Sequence, residues 1–149
     1  MSDFVGFLPT PGPSFDFRRF FNTGQILVSN ELSEYLESCG QQVPNSDADR
    51  IDLAASIAPS DQYPNGYWKS LHRFRGLRNA FAHELRPHNV VKRSNRFSRE
   101  VEQFALYKGH ELFPMKDSTN QCHWRAYFAF AHLWDGLTSL NGVEKEKPL

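Results

Sequence analysis

The segment Arg78-Asn79-Ala80-Phe81-Ala82-His83 contains residue types that cleavage of a phosphodiester requires. Cutting RNA through attack by its own 2′-hydroxyl needs a proton acceptor, a proton donor and a cation for the charge that develops on the phosphate. Imidazole titrates near neutral pH and suits either proton role. A guanidinium offers a planar fork to phosphate oxygens. The segment is therefore a candidate site for phosphate chemistry.

The pattern around this segment predicts an amphipathic helix from about Tyr67 to Arg86, closed by Pro87. At about 100° per residue, a polar stripe runs along one side, formed by His72, Arg75, Asn79, His83 and Arg86. Arg78 falls inside the apolar sector near its edge, where a guanidinium must reach solvent, pair with an acid or face an anion.

The motif and its upstream residues resemble the signature of the HEPN superfamily, in which four to six residues separate an Arg, commonly followed by Asn, from a His. Residues 49–54 followed by the motif helix also resemble the mannitol operon repressor branch of that group. Together the similarity covers roughly residues 46–86. It implies a compact helical bundle that dimerises with two motif helices face to face.

Active members of that superfamily are metal-independent ribonucleases, often toxins or antiviral effectors. By resemblance, Arg78 would hold the scissile phosphate, His83 would act as general acid or base, and Asn79 would orient the site. Each chain supplies one motif histidine, so a two-fold dimer supplies two. We further name Arg75, Arg86 and His72 as candidate RNA contacts, and a protein antitoxin or regulatory partner as an expected companion.

Other interpretations of these residues remain open at this point. Asn79 and His83 could hydrogen-bond within a packing seam, and His72 could be a solvated or packing histidine. Arg75 and Arg86 could be ordinary surface residues. The alternative function is a non-catalytic regulator resembling mannitol operon repressor proteins, which acts through protein contacts.

The net charge of zero hides a strong asymmetry. Residues 69–99 contain one acid, Glu84, and nine basic side chains, so they carry a formal charge of +8 against −8 for the rest of the chain. The nine are Lys69, Arg73, Arg75, Arg78, Arg86, Lys92, Arg93, Arg96 and Arg99. Such a stretch predicts either a phosphate-attracting face or neutralisation against the acidic remainder of the fold.

The remaining patterns predict a single all-α domain over residues 1–149 with four to five helices. Residues 1–23 are rich in Phe and Pro and are expected to be irregular, with helix signals only after Gly24. Ser46 is expected to cap a second helix that ends at Pro59.

In the second half of the chain, residues 87–97 are expected to be irregular, followed by a short helix from Ser98. The last helix, opened by Ser118, is expected to end near Leu140, and residues 142–149 to form a tail. Because its apolar residues cover more than one face, this helix should be central or lie in a subunit interface.

Several classes of protein are disfavoured by what the chain contains. Cys39 and Cys122 cannot make a disulfide framework. The four residues Cys122, His123, His132 and His110 lack metal-site spacing, so we expect neither metal nor cofactor. No apolar run approaches the roughly 20 residues of a membrane span, and the first residues lack a signal-peptide pattern. We therefore expect a cytoplasmic protein.

Overall fold

The computed structural model describes residues 15–81, 83, 86–107 and 121–146. They form five helices and, within these ranges, no strand: α1 (Phe17–Ser38), α2 (Asp47–Ile57), α3 (Asn65–Phe81), α4 (Pro87–Tyr107) and α5 (Gln121–Glu146). The helices α1, α3, α4 and α5 form a closed ring in which each packs on the next, and α2 covers α1 and α3. The prediction of an all-α bundle is confirmed.

The prediction that residues 1–23 are irregular is wrong for residues 17–23. The backbone of Asp16 is extended, and its carboxylate accepts a hydrogen bond from the backbone N–H of Arg19, so α1 begins seven residues before Gly24. Phe20 and Phe21 are buried in this first part of α1. The prolines at positions 9, 11 and 13 lie outside the described residues.

Gly24 lies inside α1 and not before it. A glycine is needed at this position because the ring of Phe74 occupies the space that a side chain would take. A Cβ added at Gly24 would lie 2.6 Å from Phe74 Cζ and 3.1 Å from Phe130 Cε1. Gly136 in α5 makes a similar approach, with 2.7 Å to Tyr67 Cε1. Both glycines therefore permit a helix to pack closely against an aromatic side chain.

The core is centred on Phe74 of α3. Its ring centroid lies 4.8 Å from that of Phe21 in α1, 5.3 Å from Phe97 in α4 and 4.8 Å from Phe130 in α5. Aromatic pairs at such distances contribute about 0.5–1.5 kcal/mol each beyond the burial of their area. One aromatic cluster thus joins all four helices of the ring. Phenylalanines of α1 therefore pack in the core of this chain.

Two predicted helix boundaries on the basic part of the chain are also wrong. The helix α3 ends at Phe81 rather than Arg86, since the chain must reverse for α4 to pack along α3. Pro87 then opens α4, because a proline at the first helical position lacks only an N–H that would have no helical partner. Residues 87–97 are therefore helical, and Ser98 is buried mid-helix, donating to the carbonyl of Ser94 (3.0 Å) instead of capping.

The boundaries of α2 and α5 complete the comparison with the sequence. Ser46 caps α2 as predicted, accepting from the backbone N–H of Asp49 at 3.1 Å. The helix α5 continues to Glu146, so residues 142–146 are not a tail, and Ser118 lies outside the described residues. The buried residues of α5 pack against α1 and α4, so much of its apolar surface is covered within the chain. Among the described residues, no helix has the combination of length and hydropathy that a membrane span needs.

Candidate functional site

The three motif residues lie around one cleft between the end of α3 and the start of α1. The cleft has a volume of about 660 Å³. It is lined by Arg78, Asn79, Phe81 and His83 from α3 and the following turn, and by Arg18, Arg19 and Asn22 from α1. The contribution of α1 is not predicted by the sequence pattern, which indicates helix only after Gly24. Once Asp16 is known to cap α1, Arg18 and Asn22 stand one helical turn apart on one face.

Arg78 is fixed by two amide oxygens. Its Nε donates to Asn22 Oδ1 at 3.3 Å and its Nη1 donates to Asn79 Oδ1 at 3.2 Å. Both acceptors are uncharged, and Arg78 forms no ion pair with any acid in the described parts of the chain. Asn22 and Asn79 therefore orient the guanidinium without neutralising it, and its Nη2 group is left for another acceptor.

His83 is exposed and lies in a turn beyond the end of α3, where its backbone N–H donates to the carbonyl of Ala80 at 3.1 Å. The prediction that Asn79 and His83 are neighbours on one helical face is therefore wrong, because the helix ends between them. Asn79 is exposed as well. A packing seam, the alternative for this motif, would require both side chains to be buried.

The residues predicted to contact RNA separate into different environments. His72 and Arg86 line a second, larger cavity between α3 and α4, and Nε2 of His72 donates to Asp52 Oδ1 of α2 at 2.8 Å. Arg75 is half-buried, its Nε is shielded from solvent, and it lines neither this cavity nor the motif cleft. The predicted polar stripe is thus divided by the end of α3 and by the neighbouring helices.

The described part of the chain contains no metal-ligating cluster beside these residues. Within the described ranges, no three His, Cys, Asp or Glu side chains come together in a way that could hold a metal ion. His110, one of the four residues considered from the sequence, lies outside those ranges.

Comparison of the chain with protein-family models, with curated proteins and with solved structures finds no match. The resemblance to the HEPN superfamily therefore depends on the motif residues themselves.

Proposed function

We propose that this protein is a metal-independent endoribonuclease of the HEPN type, which cleaves RNA by 2′-hydroxyl attack at a site shared between two copies of the chain. One observation carries the proposal: Arg78, Asn79 and His83 line a single open cleft together with two further arginines of α1. The family resemblance extends it to a toxin or defence-like role restrained by a protein partner.

In this reaction His83 transfers protons and Arg78 stabilises the charge on the phosphate. His83 of one protomer takes the proton of the 2′-hydroxyl, whose oxygen forms a bond to phosphorus as the bond to the 5′-oxygen breaks. His83 of the partner protomer gives a proton to that leaving oxygen. The products are a 2′,3′-cyclic phosphate and a 5′-hydroxyl. The guanidinium of Arg78, aimed by Asn22 and Asn79, stabilises the charge on the phosphate in the transition state.

An RNA cleavage assay in excess EDTA tests this function, because the proposed groups work without a metal. The wild-type protein is expected to cut single-stranded RNA and to leave 2′,3′-cyclic phosphate ends. His83→Ala is expected to lower the rate by about 10²- to 10⁴-fold, the usual contribution of a general acid or base. Because His83 is exposed and outside the helices, the melting temperature should stay within a few degrees of the wild type.

His88→Ala is the matched control, since His88 is also exposed but does not line the motif cleft. Its cleavage rate should equal that of the wild type. A folded, dimeric wild-type protein that cuts none of a varied set of RNAs would refute the enzyme and favour the non-catalytic regulator.

A further inference from the structure

A second cavity of about 1130 Å³ runs between α3 and α4, on a different side of α3 from the motif cleft. We name it the basic groove. It is lined by seven cations, which are Lys69 and Arg73 of α3, Arg86 of the connection, and Lys92, Arg93, Arg96 and Arg99 of α4. Lys92, Arg96 and Arg99 follow one another at intervals of four and three residues, which places them along one face of α4.

Within the described residues, the charge of the basic groove is largely uncompensated. Its one lining carboxylate, Glu100, accepts from Arg73 Nε at 2.6 Å and lies 3.8 Å from Arg96 Nε. Four other cations of the groove are exposed and make neither an ion pair nor a hydrogen bond with the described residues. These are Lys69, Lys92, Arg93 and Arg99. Among the described residues, acidic side chains therefore do not neutralise these four cations.

The chemistry of the lining favours phosphate over a protein partner. Protein interfaces depend on apolar and aromatic anchors at their centre. The lining contains no Phe, Tyr or Trp among the described residues, and its one large apolar side chain, Leu77, is buried. Aromatic platforms are also what stacks bases in single-stranded nucleic acid. A surface of guanidinium and ammonium groups without them contacts the backbone and does not distinguish sequence.

The basic groove also adjoins the motif cleft. Arg86 lines the groove and His83 lines the cleft, and the three Cα–Cα steps that separate them in the chain span at most about 11 Å. The groove and the cleft are therefore close enough for one RNA strand to contact both.

We propose that the basic groove binds the phosphodiester backbone of RNA outside the cleavage site, without reading base sequence, and leads the strand to the motif cleft. The choice of RNA rests on the proposed function, since phosphate contacts alone do not separate RNA from DNA. The binding itself is independent of cleavage and is measured separately from it.

Fluorescence anisotropy with a labelled single-stranded RNA tests the groove, in a His83→Ala background so that the RNA stays intact. The logarithm of the affinity should fall with the logarithm of salt concentration with a slope of about −3 or steeper, at about 0.7 for each phosphate contacted by an unpaired cation. The triple change Lys92→Gln, Arg93→Gln and Arg99→Gln should weaken binding at least about tenfold and reduce that slope by about 2.

The matched control keeps the charge at the same three positions through Lys92→Arg, Arg93→Lys and Arg99→Lys. Its affinity should stay within about threefold of the parent, with the same salt slope. Equal RNA affinity in the neutralised and charge-conserving proteins, both folded by circular dichroism, would overturn the proposal. So would polyglutamate displacing RNA at equal charge concentration, since the groove would then accept an acidic protein equally well. A protein with the wild-type His83 that binds RNA in this salt-dependent way but cleaves none would contradict the proposed function and leave the groove proposal standing.

Discussion

Arg78 shows how a residue that breaks a sequence pattern can be explained by its acceptors. A guanidinium inside an apolar sector needs a partner, and the structure supplies Asn22 and Asn79. Amide oxygens orient the guanidinium and leave its positive charge in place, whereas a carboxylate would neutralise that charge. An arginine held in this way is suited to a phosphate that arrives from outside.

Replacing Arg78 with lysine tests whether this geometry matters in the reaction. Arg78→Lys keeps the charge but loses the planar fork, so we expect kcat for RNA cleavage to fall by about 10²-fold, comparable to loss of a transition-state donor. Arg50→Lys, on α2 and outside the cleft, is the control and should cleave normally. Wild-type kcat in Arg78→Lys would show that only the charge is needed.

The sequence identified the motif side chains but not their surroundings. Arg78, Asn79 and His83 were found because their types and spacing are local properties of the chain. Asn22 and Arg18 join them only because α1 packs on α3, a tertiary contact that no local pattern encodes. The signal available for α1, an Asp16 cap followed by buried phenylalanines, was outweighed by the prolines that precede it.

At the scale of the helices, Gly24 is required by packing and not by backbone flexibility. Alanine favours a helix by about 1 kcal/mol over glycine, but the added Cβ would lie 2.6 Å from Phe74 Cζ. Overpacking of a core costs about 1–3 kcal/mol. We expect Gly24→Ala to lower the free energy of unfolding in urea by about 1–2 kcal/mol.

Gly76→Ala is the control for this change, because Gly76 is also helical, is exposed and has no heavy atom within 4 Å of an added Cβ. It should raise the free energy of unfolding by about 0.5–1 kcal/mol. If Gly24→Ala also raises the free energy of unfolding, helix propensity outweighs the contact with Phe74 and the prediction is wrong.

The hydroxyl of Tyr67 joins α3 to α5 by donating to the carbonyl of Leu133 at 2.6 Å. Burial, followed by the charges of Tyr63 and Asp135, raises the pKa of Tyr67 well above its ordinary value. The folded protein therefore holds this proton more tightly than the unfolded chain. Stability from Tyr67 is fully present below about pH 10 and falls as the pH rises beyond it.

Urea unfolding measured between pH 8 and 11 checks this dependence. Tyr67→Phe should lower the free energy of unfolding at pH 8 by about 1 kcal/mol through loss of the hydrogen bond. Above pH 10 its stability should decline less steeply than that of the wild type. Parallel declines in the two proteins would assign the alkaline loss to other groups, including Tyr63, whose pKa is also raised by burial.

The sequence does not predict the basic groove, because Pro87 begins a helix where the pattern indicates only the end of one. The sequence pattern predicts that a helix ends at Pro87 and that residues 87–97 are irregular. Proline is compatible with both the end of one helix and the first position of the next. With α4 beginning at Pro87, the cations of that stretch fall on a helix that faces α3.

For the whole molecule, the apolar faces that suggested a dimer are largely used within one chain. Phe130, Leu133 and Leu137 of α5 are buried in the bundle, and Ile26 is the one exposed large hydrophobic side chain among the described residues. A two-fold dimer remains a prediction that follows from the motif, since one chain supplies one His83 and the proposed reaction uses two.

Light scattering at micromolar concentration and physiological salt tests the dimer. We expect a mass of twice 17.2 kDa, with salt screening the repulsion between two cation-lined clefts that face each other. Cross-linking between cysteines introduced at position 79 of each chain should then be efficient, while cysteines at position 30, at the exposed face of α1, should not join. A stable monomer would exclude a site shared between two chains.

The close approach of Gly24 to Phe74, and of Gly136 to Tyr67, has a consequence for how such chains diverge. Each pair leaves room for one large side chain, so a bulkier residue at position 24 requires a smaller ring or an aliphatic side chain at position 74. Positions 136 and 67 are linked in the same way. In any lineage that keeps this packing, the two members of each pair should change together. Such compensated substitutions would allow kinship to be recognised after overall sequence similarity has faded.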